Sequence, residues 1–179
     1  MGYYSSLINR KFKDVVGSRY EDVLKEYREF LLTEEDVVKE VKTVLMPLDI
    51  FVSGISEDLY KLFRLYDAEV TLVYITDKDV VSIVSEILGE DAGGEYIRKK
   101  EDYGHRLLEK VSSELEMNEV RSKTKLFSGH KWDDIENLSE KYDMVAISKS
   151  YGGGRGDDNE ISPVAQRLVQ QMSTLTVLY

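Results

Sequence analysis

Five short runs rich in β-branched and apolar residues, separated by longer stretches with apolar residues at helical spacing, constrain this chain more than any other feature. The runs are 41–46, 69–75, 120–127, 143–148 and 174–179, and helical patterns occupy about 56–66, 78–88, 96–117, 131–142 and 162–172. Strands that alternate with amphipathic helices need right-handed crossovers, which produce parallel strands covered by helices on both faces. The expectation is therefore an open α/β fold with a five-stranded parallel sheet. The run 120–127 alternates more than the others and is expected nearer an edge. In open sheets of this kind ligands sit beyond the carboxyl ends of the strands, where strand order reverses. That puts two features on one edge: Asp49, just after the first strand and Pro47, and the loop Lys149-Ser-Tyr-Gly-Gly-Gly-Arg-Gly156 after the fourth.

Residues 1–42 have a different texture. Tyr4, Leu7, Ile8, Phe12 and Val15 recur at helical spacing up to Gly17, a capping-box pattern at Ser18 and Glu21 opens a second helix, and a shorter third begins at Thr33. This segment is nearly charge-balanced, so the net charge of −10 falls almost wholly on the remainder. The shift suggests two parts, a helical N-terminal extension over 1–42 and an α/β domain over 43–179. The acidic balance argues against a nucleic-acid partner, which would need a basic face. The absence of cysteine excludes disulfides and thiolate chemistry, and the two histidines, His105 and His130, are too far apart to suggest a metal site. No apolar run is long enough to span a bilayer, and residues 1–42 lack the basic face of an interfacial helix. A cytoplasmic protein is the expectation, with no membrane partner.

A glycine-rich loop between a strand and a helix brings backbone N–H groups close to a phosphate, and the helix start adds the positive end of its dipole. The next helix opens at Ser162-Pro163, where Ser as N-cap and Pro at the first helical position make a sound start. Plainer readings stand beside the functional ones. An Asp after a strand often caps a turn, Lys149 reads as a solvated lysine, and His130 and Trp132 read as packing and capping groups at a helix start. The stretch Glu90-Asp-Ala-Gly-Gly-Glu95 reads as a flexible turn between helices.

Met46-Pro-Leu-Asp49, Ala68-Glu-Val-Thr-Leu-Val-Tyr-Ile75, Asp143-Met-Val-Ala-Ile147, the glycine loop, and Pro163-Val-Ala-Gln-Arg-Leu-Val169 leading into Thr174-Leu-Thr-Val-Leu178 occur in that order. With these motifs residues 43–179 resemble the universal stress protein family. The resemblance implies a Rossmann-like sheet of order 3-2-1-4-5, a homodimer formed through the last strand, here Thr174 to Tyr179, and in some members a bound ATP or AMP. It also implies that Asp49 contacts the adenine, that Val73 offers backbone contacts to the base, and that Ser128-Gly129-His130 lies beside the nucleotide. Gly153, Gly154, Arg155 and Gly156 correspond to the first half of the family's phosphate motif. The second half departs from it. Only Asp157 to Ile161 precede Ser162-Pro163, which stand where the family has Gly-Ser or Gly-Thr, and Pro163 has no N–H to give. Asp157, Asp158 and Glu160 add charge repulsion, about 3 kcal/mol for a carboxylate ~5 Å from a phosphate charge at an effective dielectric of ~20. A Mg²⁺ shared between Asp157 or Asp158 and the phosphates of ATP would convert that repulsion into bridging.

Two functions follow from these residues. One is a stress-response regulatory domain that binds an adenine nucleotide; with no catalytic residues evident, any ATP hydrolysis would be slow and the bound state would be the signal. The other is a dimeric interaction module of the same fold that needs no nucleotide. A phosphoacceptor receiver domain is rejected, because it needs clustered acids after the first strand, an acceptor Asp after the third and a Lys ending the fifth. A flavin-binding domain stays open by pattern, although the first strand runs into Pro-Leu-Asp rather than a phosphate-cradling loop.

Overall fold

Three of the strands are buried on both faces along almost their whole length. The computed structural model describes residues 40–52, 54–153 and 161–179; the helical expectations for residues 1–39 and the positions Gly154, Arg155 and Gly156 lie outside them. The elements run β1 (Thr43–Leu48), α1 (Glu57–Leu65), β2 (Glu69–Asp77), α2 (Lys78–Leu88), α3 (Glu90–Met117), β3 (Ser122–Gly129), α4 (Lys131–Ser139), β4 (Met144–Ile147), α5 (Pro163–Gln171) and β5 (Leu175–Leu178). All strand pairs are parallel and the sheet order is β3-β2-β1-β4-β5, as expected. The core is built on β1, β2 and β4, with Phe63 of α1, Leu115 of α3, Ile135 of α4 and Leu168 of α5 packed against them. Each such side chain contributes roughly 1.5–3 kcal/mol by leaving water.

Pro47 lies inside β1, a central strand, where the sequence suggested that the strand stops before it. Its tolerance has a local explanation. The Glu69 N–H donates to Lys42 O and the Asp143 N–H donates to Thr43 O, so even-numbered residues of β1 turn their backbone groups to β2 and odd-numbered ones to β4. Pro47 therefore lacks an N–H on the β4 side only. The β1–β2 register continues to Leu48↔Tyr74, whereas the β1–β4 register ends at Leu45↔Val145. The two strands part at their carboxyl ends, which is where the strand order reverses. At the other end they are tied together: the Asp143 carboxylate accepts from the N–H groups of Lys42 and Thr43 and from the Thr43 hydroxyl.

The stretch 90–95 is not a turn. It forms the first turns of α3, and the break from α2 is a single residue, Gly89, at φ 94°. Of the two glycines that suggest a loop, Gly94 faces open space and Gly93 serves close packing, as does Gly104 further along α3. A Cβ on Gly93 would sit 1.9 Å from the Ser85 hydroxyl of α2, and one on Gly104 would sit 2.5 Å from the Tyr74 ring on the sheet.

Candidate functional site

Asp49 follows β1 directly and is buried, 2% exposed. One oxygen accepts from the Phe51 N–H at 2.9 Å, closing a tight turn. The other accepts from the Gly152 N–H at 2.6 Å and from Lys131 Nζ at 3.2 Å. This one side chain links the end of β1, the first turn of α4 and the loop after β4. It spans the gap that Pro47 leaves between β1 and β4.

The loop after β4 is shaped around that contact. Gly152 and Gly153 both have positive φ, at 81° and 83°. A Cβ on Gly152 would lie 2.2 Å from Val164, and one on Gly153 would lie 2.8 Å from the Phe51 ring, so only glycine fits either position. Ser162 caps α5 by accepting from the Ala165 N–H at 2.9 Å, and its hydroxyl donates to the Tyr151 carbonyl. Its own N–H donates to Lys149 O at 2.8 Å. Ser150 reaches back and donates to Phe51 O at 2.8 Å.

A cavity of about 310 Å³ opens at this edge, at the low end of ligand-pocket sizes. Five aromatic rings line it: Phe51 after β1, Tyr74 of β2, Tyr96 of α3, Trp132 of α4, and Tyr151 after β4. Asp49, Thr76, Asp77, Lys100 and Lys131 supply its polar groups. Lys131 Nζ lies 4.8 Å from the centre of the Tyr151 ring, and Lys100 Nζ lies 5.4 Å from that of Tyr96. Two of the lining residues, Thr76 and Tyr151, carry hydroxyls that are closed off from solvent and unpartnered. Burial, reinforced by Tyr103, Asp49 and Tyr96, pushes the Tyr74 hydroxyl up to about 12. Burial, then Asp49 and Asp77, raises Tyr151 well above the ordinary tyrosine value. Both are neutral hydroxyls at physiological pH, able to donate and accept.

Of the residues singled out from sequence, Asp49 lines this cavity. Val73 is buried in the sheet, opposite Pro47 on one side and Lys125 on the other. Gly129 ends β3 opposite Asp77, with a Cβ there meeting the Asp134 carboxylate. Gly153 packs on Phe51, and Ser162 is a helix cap. Neither Val73, Gly129, Gly153 nor Ser162 is part of the cavity lining. The residues that sequence reasoning passed over are Tyr151, Lys131, Thr76 and Tyr74. Only their position at strand ends signals them, and Trp132, read as a packing group, also faces the cavity. No group of three or more carboxylate or imidazole side chains suited to a metal occurs among the described residues, and no helix among them is long and apolar enough to cross a membrane.

No protein-family profile matches the chain, and no curated protein sequence does. Solved structures do match. Hypothetical protein MJ0577 superposes with a TM-score of 0.61 at 18% identity, over 78% of this chain and 95% of that one. A protein from the universal stress protein family of Burkholderia pseudomallei gives 0.56 at 14% identity, over 79% and 97%. Hypothetical protein PH0823 gives 0.50 at 17% identity, over 76% and 93%. At these identities the likeness is one of fold: the α/β domain of this chain has the fold of a universal stress protein.

Proposed function

We propose that the chain is a stress-response regulatory protein that binds an adenine nucleotide, AMP or ATP, in the cavity at the carboxyl ends of β1 and β2. The observation that carries this reading is the Asp49 carboxylate in an aromatic-walled cavity at the point where strand order reverses. An ionised carboxylate has about four acceptor positions. Three are taken, by Phe51, Lys131 and Gly152, leaving one for a donor such as the exocyclic amine of adenine. The rings of Phe51, Tyr74 and Trp132 offer stacking surfaces for a base. In this reading the bound state is the signal, the protein works in the cytoplasm, and any ATP turnover is slow. Mg²⁺ would accompany ATP.

The test is to denature the purified protein, assay the supernatant for adenine nucleotide, and titrate the refolded or nucleotide-stripped protein with AMP and ATP by calorimetry. Binding that weakens in Asp49→Asn supports the reading; no released nucleotide and no heat with either compound would refute it.

A second reading, a nucleotide-independent dimeric module, is favoured by one observation. β5 is an edge strand with Leu175 half exposed. A homodimer through Thr174 to Tyr179 would cover it. A dimer in light scattering that dissociates in Leu175→Lys, together with failure to bind nucleotide, would support this reading over the first.

A further inference from the structure

One stripe of α3 sets the wall that this helix gives the cavity. Tyr96, Lys100 and Gly104 recur at every fourth residue, so they share a face. A Cβ on Gly104 would lie 2.5 Å from the Tyr74 ring, so its absence lets this face close down on the sheet. Leu108, Val111 and Leu115 continue the contact as core residues. Lys100 and Tyr96, one and two turns nearer the start of α3, line the cavity together with Tyr74. The packing of its own helix therefore turns Lys100 inward.

The four charged residues of the lining differ in what holds them. Asp49 accepts from Phe51, Gly152 and Lys131, and Lys131 is ion-paired with it. Asp77 caps α2 by accepting from the Asp79 N–H at 3.0 Å, where the helix dipole offsets its charge. The Lys100 ammonium rests over the Tyr96 ring, 5.4 Å from its centre. That contact fixes where the charge lies without cancelling it. Among the described residues Lys100 makes no hydrogen bond or ion pair, although its neighbour Lys99 is bridged to Glu95 at 2.7 Å. Its charge and its three N–H donors are thus available to an anionic group in the cavity.

Resting on the adenine-nucleotide reading, we infer that Lys100 is a specificity residue. It holds a phosphate of the nucleotide by a charge-assisted hydrogen bond, so the site selects nucleotides over nucleosides.

Calorimetric titration of the full chain, and of Lys100→Gln and Lys100→Arg, with adenosine, AMP and ATP tests this. The parent should bind AMP about tenfold more tightly than adenosine, or better, the effect of one charge-assisted hydrogen bond. In Lys100→Gln that preference should shrink to about twofold, and AMP binding should lose most of its dependence on salt. Lys100→Arg should restore both. A merely structural role for Lys100 would move adenosine and AMP together. Equal binding of adenosine and AMP by the parent, an unchanged preference in Lys100→Gln, or equal weakening of all three ligands in that variant would overturn the inference while leaving the adenine reading standing. Failure of all three compounds to bind the parent would overturn both.

Discussion

Replacing Asp49 by Ala should unfasten the carboxyl edge of the sheet. The residue is 2% exposed and its side chain accepts three hydrogen bonds, two of them from elements 82 and 103 residues away in sequence. Its loss leaves the Gly152 N–H without an acceptor, which costs about 1–3 kcal/mol for a buried donor. It also leaves Lys131 without its carboxylate. Breaking a fully buried pair costs roughly 3–5 kcal/mol, but the Lys131 side chain is 20% exposed and can swing outward, so only part of that applies. The working figure for both losses together is about 3 kcal/mol. For a chain of this size that lowers the melting temperature by roughly 6–12 °C, at about 2–4 °C per kcal/mol. Urea unfolding of parent and variant without ligand is the assay, and the midpoint should fall with the slope unchanged. Asp49→Asn should lose less, because one oxygen can still accept from Phe51 or Gly152. A loss in Asp49→Ala below about 1 kcal/mol would refute the reasoning, since it would mean that the gap between β1 and β4 is held by something else.

Three further outcomes follow from the same structure. Without ligand, Tyr151→Phe should melt at the same temperature as the parent or slightly higher, because it removes a buried hydroxyl that has no partner; a fall of several degrees in calorimetry would show that the hydroxyl is bonded. Gly152→Ala should destabilise by about 2–4 kcal/mol in urea unfolding, since it combines a positive φ with a Cβ 2.2 Å from Val164. The domain should also lose stability as pH rises above 10. Tyr74, with its hydroxyl pushed up to about 12, and Tyr151 and Tyr179, both raised mainly by burial, favour the fold while protonated, so their contribution is intact below pH 10 and fades through their raised values. Tyrosinate absorbance should show these rings ionising only as the chain unfolds.

The sheet is legible in the sequence because β1, β2 and β4 are buried on both faces, which leaves largely apolar runs; β3, at an edge, shows no regular alternation and is polar over Ser122 to Lys125, with Leu126 and Phe127 half-buried. The start of α3 is not legible. Gly93 and Gly94 look like a turn, and only the contact with Ser85 shows that Gly93 is there to let two helices touch. Pro47 misleads in the same way, since its harmlessness depends on which neighbour its missing N–H faces. At the candidate site, Asp49 stands out through its place after a strand. Lys131 and Tyr151 do not, because no motif marks them and their roles arise from contacts made across the fold. The glycine loop shows the limit most plainly. Gly152 and Gly153 look like phosphate donors by composition, while the structure turns their N–H groups to Asp49 and Ser150.

Trp132 is the only tryptophan in the chain, and it lines the cavity. Its emission therefore reports on that cavity as well as on Arg167, which lies 5.2 Å from its ring, and titrating adenosine and AMP while following it tests the central claim directly. The account predicts a saturable change with a midpoint matching the calorimetric affinity, weakened in Asp49→Asn. Calorimetric binding with no change in Trp132 emission would place the ligand elsewhere, and no binding of either compound would contradict the account outright.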